Sequence, residues 1–385
     1  MMGEHRIARL GDVCEIVSGT TPKSTVAEYW DGGIPWVTPA ELTDDSHVII
    51  DTVRTLTEAG VASKKLPLLP KGTVLLSSRA PIGKVAIAGC DMYCNQGFKN
   101  LVCSDAVFNE YLYFFLKSRN EQLQHMGHGA TFKELSKKTL SEMLLPLPSM
   151  KLQREIANNL NTARAQIDLA KQMLAKADEL IQSRFVEMFE NKGYEEILSF
   201  KIMPEMRNGV SPSKKGKVSA KVLTLSAITQ GDFDESAWKN GVFDDTPSLD
   251  KRVSSADFYM CRGNGNKNLV GAGAFSSKDY PELVFPDTMI AGKVNTDIVC
   301  MSYLFSVWQR PFIRKQIEGM ARTTNGTYKV NQDMLSHIEV PLPPLALQNE
   351  FAEFVTQVES LKTTTRQQLD RLTTLYDSLA QRYFA

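Results

Sequence analysis

Apolar residues recur with a regular spacing along two long stretches of the chain. The first series runs from Ile156 to Met188, with steps of four and three residues that alternate throughout. The same series, displaced by 195 positions, runs from Phe351 to Tyr383, where Lys362 and Thr365 depart from the pattern. A period of 3.5 residues produces a straight apolar stripe that must pack against another helix. The pattern therefore predicts two long helices that pair with each other as an antiparallel coiled coil.

A proline-rich phrase precedes each stretch, PLPSMKLQREI from Pro146 and PLPPLALQNEF from Pro341. Proline is tolerated in the first turn of a helix but not in its interior, so the helices should begin near Ser149 and Pro344. A helix of about 38 residues is roughly 55 Å long, which suits a rigid spacer. An ordinary amphipathic helix on a globular core is the alternative. The positions proposed for the helix contact are Ile156, Leu160, Ala163, Ile167, Leu174, Ile181, Phe351, Val355, Val358, Leu369, Leu372 and Leu379.

Shorter runs of strand character fill the segment before each long helix. GTVLLSS and KVAIAG precede the first helix, KVLTLSAI and TDIVCMS precede the second, and Gly and Asn turns separate them. An aromatic helical segment also occurs in both halves, as NEYLYFFLKS and MSYLFSVWQR. We therefore expect a mixed α/β (α+β) tandem repeat with pseudo-two-fold symmetry. Its parts are a first head (1–148), a first spacer helix (149–192), a second head (193–340) and a second spacer helix (341–385).

The composition is that of a globular protein without a strong charge. Of the 385 residues, 43% are hydrophobic and 23% are charged, and no apolar run approaches the roughly 18 residues of a membrane span. The first residues carry charges where a secretory signal would be apolar, so we expect a cytoplasmic protein. The formal net charge is zero, but residues 196–337 carry 18 basic and 15 acidic groups. Any binding to nucleic acid must therefore depend on local patches.

Several motifs of the first head resemble those of one family. LGDVCEIVSGTTPKS, YWDGGIPWVTPAEL, GTVLLSSRAPIGKVAIAG and CNQGFKNL are similar to successive motifs of the target recognition domains in the specificity subunit of type I restriction-modification systems. The proline phrase followed by Leu, Gln and Glu resembles the repeated spacer region of that family. The resemblance covers nearly the whole chain. The second head departs more, with CRGNGNKNLVGAGAF and MIAGKVNTDIV at the corresponding places.

The resemblance implies a subunit that selects a DNA sequence and performs no catalysis itself. Its expected partners are double-stranded DNA, modification (adenine methyltransferase) subunits and, where one exists, a translocating restriction subunit; no membrane, cofactor or metal is implied. The sequence agrees, since it lacks the Asn/Asp-Pro-Pro-aromatic loop of an adenine methyltransferase and also lacks a P-loop. Two different heads further imply an asymmetric, bipartite DNA site. The length of the helices would then set the number of unrecognised base pairs between its two halves.

Loops rich in Arg, Lys, Asn, Gln, Ser and Thr are the candidates for contact with DNA. Arg and Lys recognise guanine and Asn and Gln recognise adenine, whereas hydroxyls and lysines position phosphates. The candidates in the first head are Ser18, Thr20, Thr21, Lys23, Ser77, Ser78, Arg79, Lys84, Asn95, Gln96, Lys99, Thr131 and Lys133. Those in the second head are Asn208, Ser211, Lys214, Lys215, Arg262, Asn264, Asn266, Lys267, Lys293, Arg322, Thr323, Thr324 and Lys329.

Other functions compete with DNA recognition. Cys90 and Cys94 precede His125 and His128, and these four residues suggest a zinc site, although their spacing matches no zinc template. A structural adaptor whose heads bind protein or carbohydrate would also explain the aromatic-rich heads. A hydrolase that uses one of the two histidines with a serine lacks a nucleophile-elbow motif. A selection from a random DNA pool distinguishes the adaptor from a protein that recognises DNA. The adaptor would enrich no sequence, whereas the DNA-binding protein would enrich its own site.

Overall fold

The chain folds as two compact units. A computed structural model describes residues 6–127, 133–213, 215–324 and 326–384, with the side chain of Thr324 excluded. The first unit contains the described residues up to Lys171 together with those from Arg366 onward, and the second contains Gln172–Thr365. Each long helix therefore contributes one part to each unit.

The described strands of the first unit pair into three small sheets. Its strands are β1 (Arg6–Arg9), β2 (Cys14–Ser18), β3 (Trp30–Val37), β4 (Val48–Ile49), β5 (Arg54–Leu56), β6 (Val74–Leu76), β7 (Val85–Ala88), β8 (Tyr93–Cys94), β9 (Lys99–Cys103) and β10 (Leu144–Leu147). Its helices are α1 (Leu10–Val13), α2 (Glu58–Ala62), α3 (Asn109–Ser118), α4 (Asn120–His125), α5 (Lys137–Ser141) and part of α6 (Met150–Phe189). The strands pair in the orders β2-β9-β6-β7-β4, β5-β3-β8 and β1-β10. Both parallel and antiparallel pairs occur, which is typical of a mixed α/β domain.

In the second unit, the strands within the described residues pair into four small sheets. Its strands are β11 (Glu196–Leu198), β12 (Glu205–Asn208), β13 (Val218–Leu223), β14 (Trp238–Phe243), β15 (Arg252–Val253), β16 (Asp257–Cys261), β17 (Gly263–Asn264), β18 (Gly273–Phe275), β19 (Tyr280–Val284), β20 (Met289–Lys293), β21 (Arg322–Thr324), β22 (Thr327–Lys329) and β23 (Glu339–Pro341). Its helices are α7 (Ser199–Ile202), α8 (Ser226–Thr229), α9 (Met301–Trp308), α10 (Pro311–Met320), α11 (Gln332–Ser336) and part of α12 (Leu345–Phe384). The orders are β12-β20-β16-β18, β14-β13-β19-β15, β17-β22-β21 and β11-β23.

The two long helices begin one residue after the predicted points, at Met150 and Leu345. Every position of both predicted seams is buried or half-buried. Parts of α6 and α12 pack in antiparallel directions in the second unit, where Asp178 meets Lys362 at 2.7 Å and Arg184 meets Glu350 at 2.9 Å. The fold-class prediction of a mixed α/β chain with two long paired helices is confirmed. No helix in the described part of the chain carries an apolar stretch sufficient for a membrane span.

The two polar departures from the seam are themselves buried. Lys362 and Thr365 are 4% and 3% exposed, so the helical phase predicted from the apolar residues extends through them. The Lys362 ammonium lies 2.7 Å from Asp178 across the helix pair and 2.5 Å from Glu359 on its own helix. Burial disfavours the charged lysine, but hydrogen bonds to both carboxylates outweigh burial and raise the pKa of Lys362. The seam therefore contains a satisfied cation rather than a gap.

Replacing Lys362 should separate the effect of its volume from that of its charge. Lys362→Met keeps the stem, and Asp178 and Glu359 are 58% and 37% exposed, so both carboxylates return to water. We expect the free energy of unfolding to stay within about 1 kcal/mol of the original value, because a well-packed apolar residue often replaces an ion pair without loss. Lys362→Glu should lower it by about 3 kcal/mol, since it places a third carboxylate in the seam. Urea unfolding measures both, and equal losses for the two variants would contradict this account.

The glutamine of the first proline phrase ties α6 to the head that precedes it. Gln153 is fully buried and makes three hydrogen bonds with the backbone. It accepts one from the amide of Phe108 at 2.8 Å and donates to the carbonyls of Ala106 at 2.9 Å and Pro148 at 3.0 Å. A buried amide side chain with these partners fixes the position of the helix start against the loop that leads into α3.

The second proline phrase builds the same junction in the second unit. Gln348 is fully buried, accepts from the amide of Cys300 at 2.8 Å and donates to the carbonyls of Ile298 at 3.1 Å and Pro343 at 2.8 Å. Its neighbours form the loop that leads into α9, the counterpart of α3. The phrase thus occurs twice because each long helix is fastened to its own head by one glutamine.

Aromatic residues complete each junction with the end of the other long helix. Tyr111 donates to the carbonyl of Pro146 at 2.8 Å, and its ring lies 5.3 Å from that of Phe384, at the end of α12. In the second unit, the ring of Tyr303 lies 4.8 Å from that of Phe189, at the end of α6. Each head core therefore receives the beginning of one helix and the end of the other.

Candidate nucleic-acid interface

The sheet β17-β22-β21 gathers many of the residues predicted in the second head. Its antiparallel register places two rows of residues across the three strands. The rows are Asn264–Tyr328–Thr323 and Gly263–Lys329–Arg322. Residues 59 to 66 positions apart in the chain were predicted separately from their side-chain types, and strand pairing brings them together.

This sheet is locally basic. The segments 262–268 and 322–329 supply Arg262, Lys267, Arg322 and Lys329 and contain no Asp or Glu. Lys267, Arg322 and Lys329 are exposed, and the Lys267 ammonium lies 6.0 Å from the centre of the Tyr328 ring. Tyr328 is half-buried at the middle of its row. It was not among the predicted residues, although it stands beside Lys329 in the sequence.

Turns shape the loop that carries Asn264 and Asn266. The Asn264 side chain accepts from the amide of Asn266 at 2.9 Å, and Asn266 accepts from the amide of Asn268 at 3.1 Å. Such turns are a common role for asparagine. Arg262 is half-buried and donates to the carbonyl of Asp287 at 3.2 Å, which fixes one side of its guanidinium.

Other candidates of the second head lie outside this sheet. Asn208 and Lys293 belong to β12 and β20, and the Lys293 ammonium lies 3.9 Å from Glu205. Ser211 and Lys215 are exposed in the loop before β13. Lys214 and, in the first head, Thr131 lie outside the described residues, as does the side chain of Thr324.

A cleft in the first head is bordered by two predicted cations. Its volume is about 680 Å³. The lining residues are Arg79, Ala80, Pro81, Ile82, Gln124, Lys133 and Glu134. Basic and amide side chains together with the apolar Ala80, Pro81 and Ile82 give a surface that can bind a polar, planar group.

The turn that presents Arg79 is held by the serine that begins it. Ser77 is fully buried, donates to the carbonyl of Pro81 at 2.7 Å and accepts from the amide of Lys84 at 2.9 Å. Ala80 adopts a φ of 51°, a left-handed conformation that non-glycine residues rarely take. This turn leaves the Arg79 side chain 35% exposed at the cleft.

Three further candidates near this turn are either buried or have their polar group bound within the head. Ser78 is fully buried, and its hydroxyl has no hydrogen-bond partner among the described residues. The Lys84 ammonium donates to the carbonyls of Pro39 and Leu42. Lys99 is 8% exposed. That these three contact DNA stays a prediction.

Glu134 is the acidic residue of the cleft and was not among the predicted residues. Its carboxylate lies 3.1 Å from the Lys99 ammonium and 4.0 Å from the Arg79 guanidinium. Contact with DNA is predicted from hydroxyl, amide and cationic side chains, and a carboxylate is none of these. The sequence did contain one signal for Glu134, because it directly follows Lys133, a residue predicted to contact DNA.

The remaining candidates of the first head form two adjoining loops. The hydroxyl of Thr21 is hydrogen-bonded to Gln96, and the amide of Thr20 donates to the carbonyl of Cys94 at 2.9 Å. Asn95 accepts from the amide of Gly97 at 2.8 Å. Ser18 is exposed at the end of β2, and Lys23 is exposed in the loop after it.

The structure gives no support to the zinc alternative. Cys90 donates to the carbonyl of Ile50 at 3.3 Å, whereas burial raises the pKa of the Cys94 thiol to about 12 and Asn100 donates to its sulfur. A thiol with such a pKa is a poor metal ligand at neutral pH. Within the described residues, no three His, Cys, Asp or Glu side chains are grouped as a metal site, and His128 lies outside them.

Comparison with known proteins identifies the family. The model of the type I restriction modification DNA specificity domain matches residues 2–179 and 281–374. The MjaIX specificity subunit of a type I restriction enzyme from Methanocaldococcus jannaschii is 39% identical over 188 residues, which are 48% of this chain and 43% of that subunit. The chain thus spans less than half the length of this relative. The EcoKI specificity subunit from Escherichia coli is 21% identical over 98% of this chain and 87% of its own length.

Solved structures show the same fold at low identity. The crystal structure of the S subunit of a type I restriction-modification system from M. genitalium superposes with a TM-score of 0.62 at 14% identity, over 100% of this chain and 98% of that chain. A chain from a structural study of the assembly of a type I restriction-modification system gives a TM-score of 0.61 at 15% identity. The resemblance drawn from the sequence motifs is confirmed. This chain belongs to the type I restriction-modification DNA specificity family.

Proposed function

We propose that this chain is the DNA sequence-specificity subunit of a type I restriction-modification complex. Each head recognises one half of an asymmetric bipartite site, and the paired helices set the number of base pairs between the halves. The heads correspond to residues 1–148 and 193–340, and the spacer helices to 149–192 and 341–385. The chain performs no catalysis, which belongs to the partner subunits.

The observation that carries this proposal is the basic sheet β17-β22-β21. Arginine and asparagine are the side chains that recognise guanine and adenine in the major groove, and lysine and threonine position phosphates. All four residue types occur on this sheet, and its two segments contain no carboxylate that would repel DNA. Tyr328 at its centre offers an aromatic face to a base or a sugar.

The two heads present different chemistry, which favours an asymmetric site. The first head offers a cleft where Arg79 and Lys133 lie with Glu134, and the second offers a sheet without carboxylates. A protein with two identical surfaces would favour a palindrome. Different surfaces therefore support different half-sites.

Tight binding should require the modification (adenine methyltransferase) subunits. The chain has 44 basic and 44 acidic residues, so it releases few counterions when it binds DNA alone. Leu169 and Met173 lie off the helix seam and are 57% and 43% exposed, and we propose that such positions dock a modification subunit. A restriction subunit, where one exists, would join the same complex.

Selection from a random duplex pool tests this function. The chain is assembled with a type I modification subunit, and the bound DNA is sequenced. The proposal expects two short, defined sequences separated by a gap of constant length. A structural adaptor that binds protein or carbohydrate would enrich no sequence, and that result would refute the proposal.

Two variants distinguish recognition of bases from attachment to the backbone. Arg262→Ala should relax the preference at one position of the site, at a cost of about 1–3 kcal/mol for the preferred base. Lys215→Ala should weaken binding to all duplexes alike and reduce the slope of log affinity against log salt by about 1. Titration of duplexes with the assembled complex at several salt concentrations measures both. Unchanged affinity in both variants would show that the interface of the second head is misplaced.

A further inference from the structure

The ion pairs of Glu134 in the first head are unequal. The distance from its carboxylate to the Lys99 ammonium is 3.1 Å, within hydrogen-bonding range, whereas the distance to the Arg79 guanidinium is 4.0 Å. Charge-assisted N–H···O bonds are typically about 2.7–2.9 Å long, so the second contact is electrostatic attraction without a hydrogen bond. Glu134 is thus anchored by Lys99 and holds Arg79 only loosely.

Solvent exposure also distinguishes Lys99 from Arg79 and Glu134. The side chain of Lys99 is 10% exposed, that of Arg79 is 35% exposed and that of Glu134 is 43% exposed. Lys99 is therefore removed from solvent, and its position on β9 is fixed by the pairing of that strand with β2. Arg79 lines the cleft with a partly exposed side chain, and the Glu134 carboxylate lies beside its guanidinium.

We infer that Glu134 filters DNA sequence in the first head by partly offsetting the positive field around Arg79, which keeps its charge. This inference rests on the proposed function. A phosphate that approaches Arg79 also approaches the carboxylate, which repels it, so that backbone contact alone gains little. A guanine edge accepts two hydrogen bonds from Arg79 without bringing a negative charge, so the correct base gains the full interaction. Glu134 is a positioning residue, since it acts through Arg79 and need not touch DNA.

The variant that tests this is Glu134→Gln, and Glu121→Gln is its matched control. Both remove one negative charge from the first unit, but Glu121 is exposed on α4 and does not line the cleft. The assembled complex is titrated with its selected duplex and with a scrambled duplex over a range of salt. Glu134→Gln should raise the affinity for scrambled DNA about 3- to 10-fold and steepen its salt slope by about 0.9, equivalent to one added phosphate contact.

The affinity for the selected duplex should change less than that for scrambled DNA, so the ratio of the two affinities falls. Glu121→Gln should leave this ratio unchanged. The inference is wrong if the two variants behave alike, because net charge would then explain the result. It is also wrong if Glu134→Gln leaves the ratio at its original value.

A second variant guards against a folding defect. Glu134→Gln leaves the buried Lys99 ammonium without its carboxylate, which can destabilise the head. The double variant Glu134→Gln, Lys99→Met removes the buried charge as well and should show the same loss of discrimination. If the unmodified chain, assembled with its modification subunit, enriches no sequence from the random duplex pool, the proposed function itself is refuted. A clear selected sequence together with unchanged discrimination in both variants refutes only the role of Glu134.

Discussion

Replacing Phe351 with alanine is expected to lower the free energy of unfolding of the second unit by about 3–5 kcal/mol. Phe351 lies in the first turns of α12 and is fully buried. Its ring centre is 5.6 Å from that of Phe185 and 5.4 Å from that of Phe189, both on α6. The substitution therefore opens a cavity where the two long helices and the head core meet.

Urea unfolding of the intact chain, followed by circular dichroism, measures this loss. Leu361→Ala is the matched control, because Leu361 lies on the same helix but is 53% exposed. It should change the free energy of unfolding by about 0.5 kcal/mol or less. Similar losses for the two variants would mean that the seam does not hold the helices together.

Replacing Gln348 with leucine should have an effect of comparable size for a different reason. Leucine has a similar volume but leaves the amide of Cys300 and the carbonyls of Ile298 and Pro343 without their buried partner. An unsatisfied buried backbone group costs about 1–3 kcal/mol, so we expect a total loss of about 3–5 kcal/mol. Gln153→Leu should cause a similar loss in the first unit, since its three hydrogen bonds are equivalent.

Thermal and urea unfolding of both glutamine variants test the shared role of the two phrases. Gln357→Leu, at an exposed position of α12, is the control and should leave stability nearly unchanged. If only one of the two junction variants loses stability, the two phrases do not perform the same function. If neither does, their hydrogen bonds are not what fastens the helices to the heads.

The long helices could be predicted from the sequence because their signal is local and repeated. Each apolar position is supported by neighbours three and four residues away, and the same phase recurs 195 positions later. The burial of Lys362 could not be predicted in this way. Its place depends on Asp178 of the other helix, and partners across an antiparallel pair are far apart in sequence.

The candidate interface could be predicted only in part. The types of Arg262, Asn264 and Lys329 indicated contact with DNA, but the sequence does not encode which short segments pair as strands. The RGNGN segment has the composition of a tight turn, and the structure places Gly263 and Asn264 of it in a strand. Strands of two or three residues depend on distant partners, so local propensity carries little information about them.

Glu134 shows a second limit of reasoning from residue type. A search for groups that attract DNA selects cations and amides and passes over a carboxylate beside them. Only the geometry, with Lys99 at 3.1 Å and Arg79 at 4.0 Å, shows that the acid belongs to the cluster. The buried glutamines show the reverse case, because their repetition was visible in the sequence but their role was not.

The central claim is that each head recognises its own half of one DNA site. The most direct test is the sequence selected from a random duplex pool by a variant with Arg262→Ala, Asn264→Ala and Arg322→Ala, assembled with a type I modification subunit. The account predicts that one half of the selected site becomes degenerate. The other half should keep its base sequence, and the number of base pairs between it and any bases still selected in the degenerate half should not change. Simultaneous loss of both halves in a correctly folded variant, or a selected site that is one unbroken sequence, would contradict it.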